Sequence, residues 1–472
     1  MNVLFTHSYF LHFDEKQWQL SKPYPPLGTI QAASYIREQN HQVSLFDTNF
    51  VQNPNEIVPT LEALKPDVLV IYDDGFNYLT KMCLTKMREA AFTMAKLAKE
   101  RNIPVILSSS DSTDHYEKYL NNGADFVMLG EAEETLNELI AAIKNKEDCL
   151  NIEGIAYKNN GEIIKNAKRK IFTDLDKLPL PAWDLIDISP YQKAWQKHEY
   201  FSINIATTRG CPYKCNWCAK PIYGNRYNSR SPEHVVNEIK HIKTLFHFDH
   251  IWFCDDIFGL KPNWVQKFNQ TLKEENISIT YKIQSRADLL LKDDTIKSLA
   301  ESGCDEVWIG AESGSQKILD AMDKGTSIEQ IQRASTLLKK HHIKPCFFLQ
   351  FGYLSETWED IKLTLNMLFD LMPYDIGVSV SYPLPGTKFY SMVASQLKEK
   401  ANWSDSDELL LMYKSTYKPQ FYKKLHRFVH KRFRQKKASE KIKLGKLSQV
   451  VRWLYFKVTS QVFYYQLLQL RK

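Results

Sequence analysis

Cys211, Cys215 and Cys218 place three thiols within eight residues, directly after an alternating apolar run from Phe201 to Ala206. Soft thiolates suit iron, and a short loop can wrap a cubic cluster as a straight helix cannot, so three such ligands can hold three irons of a four-iron cluster. A fourth protein ligand is missing nearby. A structural zinc site is normally closed by four ligands, and an electron-carrying cluster usually has four cysteines. The spacing therefore predicts a cluster with one iron open to a small molecule.

This C-x3-C-x2-C pattern, with Trp217 before the last cysteine and Arg209-Gly210 before the first, resembles the radical S-adenosylmethionine (SAM) superfamily. The resemblance implies a 4Fe-4S cluster on Cys211, Cys215 and Cys218, with the open iron chelated by the amino and carboxylate groups of SAM. It implies an enzyme that cleaves SAM reductively to a 5'-deoxyadenosyl radical, and an electron donor such as flavodoxin or ferredoxin. Three unrelated buried thiols are the bland alternative, against which the preceding strand and the Arg-Gly pair argue.

The length, 472 residues, suits about three domains. The other five cysteines, Cys83, Cys149, Cys254, Cys304 and Cys346, are scattered singly and predict reduced thiols in a cytoplasmic protein. The N-terminal residues run straight into an apolar strand, so no signal peptide is expected.

Residues 1–150 alternate candidate strands (Asn2 to Thr6, Gln42 to Asp47, Asp67 to Tyr72, Val105 to Ser109, Asp125 to Leu129) with helical stretches such as Leu27 to Gln39 and Lys81 to Arg101. The fold class is α/β: an N-terminal Rossmann-like, doubly wound parallel sheet. The strand-end loops carry Pro25-Pro26-Leu27-Gly28, Asp73-Asp74-Gly75, Ser108-Ser109-Ser110-Asp111 and Gly130-Glu131-Ala132-Glu133. That order resembles the cobalamin-binding domain fused to many radical SAM proteins. It implies cobalamin contacts from Leu27, Gly28, Asp74, Gly75, Ser108, Ser109, Ser110, Gly130 and Glu131. Phe5 and Phe10 replace the Asp and Gly of the family's axial-histidine motif, so His7 is read as a hydrogen-bonded group and not as an axial ligand. The serine loop stands where the family commonly has glycines, and a vestigial domain without corrin is the alternative.

Residues 151–200 read as a connector containing a hairpin turned at Asn160-Gly161, followed by a Pro-rich crossing. Six strand-helix units in 201–390 predict an open, partial TIM-type barrel with its site at the strand carboxyl ends. This is the fold the radical SAM resemblance implies. At those ends the resemblance assigns SAM contacts to Trp217, Asp255, Asp256, Arg286, Glu312 and Ser313. One acid of the Asp255-Asp256 pair would receive the ammonium, Arg286 the carboxylate and Glu312 the ribose hydroxyls. Adjacent acids that cap a helix, or ordinary ion pairs, are the alternatives. Phe351-Gly352-Tyr353 and Pro383 to Thr387 are placed at the adenine and substrate pocket, or are simple turns. Tyr223, Tyr227 and Arg230 either cover the cluster or pack.

The extension 391–472 is basic. From Lys418 onward sixteen Lys and Arg stand against the single acid Glu440, more than the chain's whole excess of +7. Leu447, Val450, Val451, Leu454, Val458, Val462 and Tyr465 recur at helical spacing. An interfacial helix on an anionic membrane and a helix packed on the barrel are both consistent, and nucleic acid ranks below them. The expected function is cobalamin-dependent radical chemistry, methyl transfer first, on an unactivated carbon of a small hydrophobic or lipid-like metabolite. Oxidative cyclisation or rearrangement, and a non-catalytic cobalamin or iron-sulfur sensor, are the alternatives.

Overall fold

The structure, a computed structural model, describes residues 1–76, 84–397, 402–404 and 406–471. Cys83 and the start of the stretch Lys81 to Arg101 lie outside them. The chain divides into two units.

The first unit holds a seven-stranded sheet in the order β2-β1-β3-β4-β5-β6-β7. Its strands are β1 (Asn2–Thr6), β2 (Gln42–Phe46), β3 (Val68–Tyr72), β4 (Val105–Ser108), β5 (Phe126–Met128), β6 (Ile155–Asn159) and β7 (Glu162–Lys165). The first five are parallel. Val68 to Ile71 are each 0% exposed, as expected of a central parallel strand covered on both faces. Val3, Phe5, Val70 and Ile106 pack with Leu136, Leu139 and Ile140 of helix Glu133–Asn145, and such side chains each stabilise by about 1.5–3 kcal/mol on burial. Strand order reverses between β1 and β3, the place where such sheets open a crevice at their carboxyl ends.

The hairpin forms as read, with Asn160 (φ 49°) and Gly161 (φ 88°) both in the left-handed region that a tight turn requires. Its place differs. β6 runs antiparallel to β5, so the hairpin is the edge of the first sheet and not part of a connector. The tail also contributes here: Asn402–Glu408 belongs to this unit, with Arg88 donating to Asn402 Oδ1 (2.9 Å) and Ser406 donating its N–H to Asp14 (3.0 Å).

The second sheet has six strands in the order β15-β14-β13-β12-β11-β8. They are β8 (Ser202–Ile205), β11 (His250–Phe253), β12 (Thr280–Ser285), β13 (Cys304–Glu312), β14 (Lys344–Phe351) and β15 (Asp375–Val380). The two-residue strands β9 (Thr208–Arg209) and β10 (Asn228–Ser229) pair antiparallel beside it. Helices alternate with the strands, and sequence-local caps start them. Ser327 with Gln330, and Thr357 with Asp360, form capping boxes for Ile328–Lys340 and Trp358–Leu371. This is the parallel half-barrel expected.

In the second unit, helix Pro419–Lys443 buries Phe421, Tyr422, Leu425, Val429 and Phe433. Gly445 (φ 83°) turns the chain into helix Val450–Leu470, which packs along it.

Candidate active site

In the first unit the approach to the cysteine loop is braced by one carboxylate. Asp255, just beyond β11, accepts from Thr207 N (2.7 Å), Thr208 N (2.9 Å) and Thr207 Oγ1 (2.5 Å) and is 0% exposed. Burial pushes its pKa up to about 6, against the pull of these hydrogen bonds. Both oxygens are engaged by the loop, at a residue to which the resemblance assigned a SAM contact. Asp256 is the exposed member of the pair. Gly210 (φ 78°) follows, and a Cβ there would stand 2.3 Å from Arg226 O, so only glycine lets the chain turn into the loop.

In the second unit the segment Lys214–Cys218 is held by Asn216. Its N–H donates to Met322 O (3.0 Å), its amide to Ala321 O (2.7 Å), and its Oδ1 accepts from Tyr353 OH (3.0 Å). Tyr353 is thus an anchor of the cysteine segment, where the sequence placed it in an adenine pocket. Around this segment gather Arg286, Glu312 and Lys324. Arg286 Nη1 lies 3.9 Å from Cys215 Sγ and 2.8 Å from Lys324 O, and Nε donates to Asp288 (2.9 Å). Lys324 Nζ donates to Glu312 Oε1 (2.7 Å) and stands 6.0 Å from the centroid of Trp217. Burial works against the charge of Lys324, but the Glu312 carboxylate holds its pKa above the ordinary value. Trp217 Nε1 is buried without a partner.

Glu312 ends β13 in the left-handed region (φ 56°), where the pairing with β14 slips by one residue. Ser313, 0% exposed, shares a hydrogen bond with Thr364 Oγ1 (3.1 Å) and accepts from Ser315 N, so it shapes the turn and its hydroxyl is not offered to a ligand. A Cβ on Gly314 would lie 2.4 Å from Leu363 O. Thr387 caps helix Lys388–Val393, as the turn reading of Pro383 to Thr387 had it. Lys324 and Asn216 were missed by sequence reasoning. Their only signal was position: one lies between two motif cysteines, the other in the turn before Gly325.

The strand-end loops of the first sheet mostly hold one another. Asp74 Oδ1 accepts from Gly28 N (3.2 Å) and Phe76 N (2.9 Å), and a Cβ on Gly28 would stand 3.1 Å from that oxygen. Leu27 is buried beside a cavity of about 20 Å³, the size of one water. Ser109 caps helix Ser110–Asp114 through a reciprocal pair with Ser112, which explains a serine run where glycines were looked for. Ser108 ends β4, and Ser110 Oγ is buried without a partner. Among the described residues, the nearest side-chain atom to a Cβ on Gly75 is 3.7 Å away. Gly130 (φ 86°) needs its glycine. Glu131 is engaged by Arg209 Nη1 and by Phe172 N (2.6 Å), and Arg209 Nη2 also donates to Glu133 (2.5 Å), under the ring of Tyr223. Glu131, to which the resemblance assigned a corrin contact, is an ion-pair partner of the residue two before Cys211. His7 is bonded to Asp47 (2.9 Å) and Thr48, as read.

Among the described residues no three His, Cys, Asp or Glu side chains converge where one metal ion would sit. A cubic cluster asks for no such convergence, since each thiolate takes a different iron. The donor set fits it: Cys211, Cys215 and Cys218 are half-buried thiols on irregular chain, with a guanidinium beside Cys215. Cys149, Cys254, Cys304 and Cys346 are thiols as well.

Residues 205–368 match the Radical SAM superfamily. An uncharacterised methyltransferase of Pyrococcus horikoshii is 27% identical over 386 residues, 80% of this chain and 81% of that protein. The anaerobic magnesium-protoporphyrin IX monomethyl ester cyclase of a Synechocystis species is 27% identical over 378 residues, 79% of this chain and 73% of the cyclase. In fold, the chain superposes with a TM-score of 0.74 and 18% identity on OxsB, a cobalamin-dependent SAM radical enzyme solved with aqua-cobalamin and SAM, covering 98% of this chain and 72% of OxsB.

Proposed function

The chain carries a radical SAM domain in a fold shared with a cobalamin-dependent enzyme, and from that premise we propose that it binds a 4Fe-4S cluster, SAM and cobalamin to functionalise an unactivated carbon. The observation that carries this reading is the gathering of Cys215, Trp217, Arg286 and the Lys324–Glu312 pair at the cysteine segment. When bound, the three groups supply one-electron cleavage of SAM and carriage of a methyl group.

The chain's residues would bind and orient. Cys211, Cys215 and Cys218 would ligate the cluster, with the guanidinium of Arg286 3.9 Å from Cys215 Sγ. Glu312, fixed by Lys324, accepts from ribose hydroxyls, and Asp256 is the exposed acid for the SAM ammonium. Ser110, with its unpartnered hydroxyl, and the open backbone at Gly75 are the groups left to meet a corrin. His7, held by Asp47 and Thr48, would not be among the residues that hold it.

A low-potential donor such as flavodoxin or ferredoxin would supply the electron. Methyl transfer to a hydrophobic or lipid-like metabolite is the leading reaction, supported by the methyltransferase relative and the exposed apolar side chains of the C-terminal helix. The cyclase relative supports oxidative cyclisation as the second reading. Anaerobic reconstitution with iron, sulfide and hydroxocobalamin, followed by desalting and metal counts, tests the cofactors. About four irons and one cobalt per chain are expected, and iron without cobalt would remove cobalamin from the reading.

A further inference from the structure

Helix Val450–Leu470 is apolar on two faces. Phe456, Ser460 and Leu467 are buried, so the face toward helix Pro419–Lys443 is already covered. The other face is open: Leu447 is 72% exposed, Val451 77%, Leu454 49%, Val458 62%, Val462 49% and Tyr465 61%. Their spacing of three and four residues makes one stripe along the helix and the short turn before it. At about 100° of rotation per residue, Arg452 and Lys457 fall on opposite edges of that stripe, and both are exposed. Lys441, Lys443 and Lys446 precede it, also exposed, and no Asp or Glu follows Glu440.

A second copy laid stripe to stripe would bring Arg452 and Lys457 against like charges, with no acid on the helix to pair with them. An anionic bilayer surface matches both features. Apolar side chains enter the acyl boundary, while Arg and Lys on the two edges reach up to phosphates, and tyrosines suit the interface. No described helix is long and apolar enough to cross a membrane, so the helix would lie in the plane. We propose that the exposed stripe from Leu447 to Tyr465 docks this protein on an anionic lipid surface, with Arg452 and Lys457 as its phosphate-facing edges.

The test is flotation of the full chain with vesicles of equimolar phosphatidylcholine and phosphatidylglycerol, against phosphatidylcholine alone. The wild-type protein should float with the mixed vesicles and far less with the neutral ones. The variant V451S/V458S/V462S, altered only at exposed positions and checked for unchanged circular dichroism, should lose binding at least tenfold. R452Q/K457Q should lose roughly fivefold per charge on mixed vesicles. Equal flotation of wild type and the triple serine variant would overturn the proposal. So would a wild-type protein that ignores vesicles but forms a dimer that the triple variant abolishes, which would assign the stripe to a second copy.

Discussion

Lys324 Nζ lies 2.7 Å from Glu312 Oε1, and both side chains are buried. A buried pair of this kind contributes little net stability, but removing one partner strands the other. Lys324→Met should therefore destabilise the protein by about 3–5 kcal/mol in urea unfolding, and adding Glu312→Gln should recover part of the loss. Additive losses in the double variant would contradict a direct pairing.

Arg209 gives the same argument in the first unit. It holds two buried carboxylates, Glu131 and Glu133, and Glu133 Oε2 has no partner. Arg209→Met should cost about 3–5 kcal/mol, with Glu131→Gln and Glu133→Gln added to it restoring stability. A near-neutral Arg209→Met would show that the ion pairs do not hold this loop.

Glu356 is 0% exposed, accepts from Gly352 N (2.7 Å), and has Oε1 unpartnered. Burial pushes its pKa up to about 8. A carboxyl whose folded pKa is raised binds more protons folded than unfolded. Its contribution is therefore complete below the unfolded value and is lost as pH rises through about 8. Stability should fall between those limits by as much as about 1.4 kcal/mol per pH unit, and Glu356→Gln should flatten that part of the profile. An unchanged slope in the variant would assign it to another group.

Two glycines in candidate motifs should respond oppositely to alanine. At Gly314 the new Cβ would meet Leu363 O at 2.4 Å and Thr364 Cα at 2.6 Å, both backbone, whereas at Gly75 the nearest atom among the described residues is 3.7 Å away. Gly314→Ala should cost about 1–3 kcal/mol or more and lower the melting temperature, while Gly75→Ala should leave it nearly unchanged. Equal melting temperatures would contradict the packing at Gly314.

Most strands were legible because parallel strands buried on both faces read as short apolar runs between turn residues, as at Val68 to Ile71. The cysteine loop was legible because its ligands are adjacent in sequence. Contacts from distant positions were not. Nothing local shows that Lys324 reaches Glu312, that Arg209 reaches Glu131, or that Asp255 turns back to Thr207, since these pairings are made by loops and turns that only the tertiary fold brings together. The hairpin at Asn160-Gly161 was visible, but its partner was not, because an antiparallel edge strand takes its neighbour from tertiary context. In the tail the periodicity showed a stripe and could not show that it would be left exposed.

The most direct measurement is the release of 5'-deoxyadenosine from SAM by the full chain, reconstituted and reduced without air. The wild-type protein should release it, and Cys215→Ala, which removes a thiol 3.9 Å from Arg286 Nη1, should release none. Wild-type rates from Cys215→Ala, or no product from wild-type protein carrying its full iron, would contradict the account.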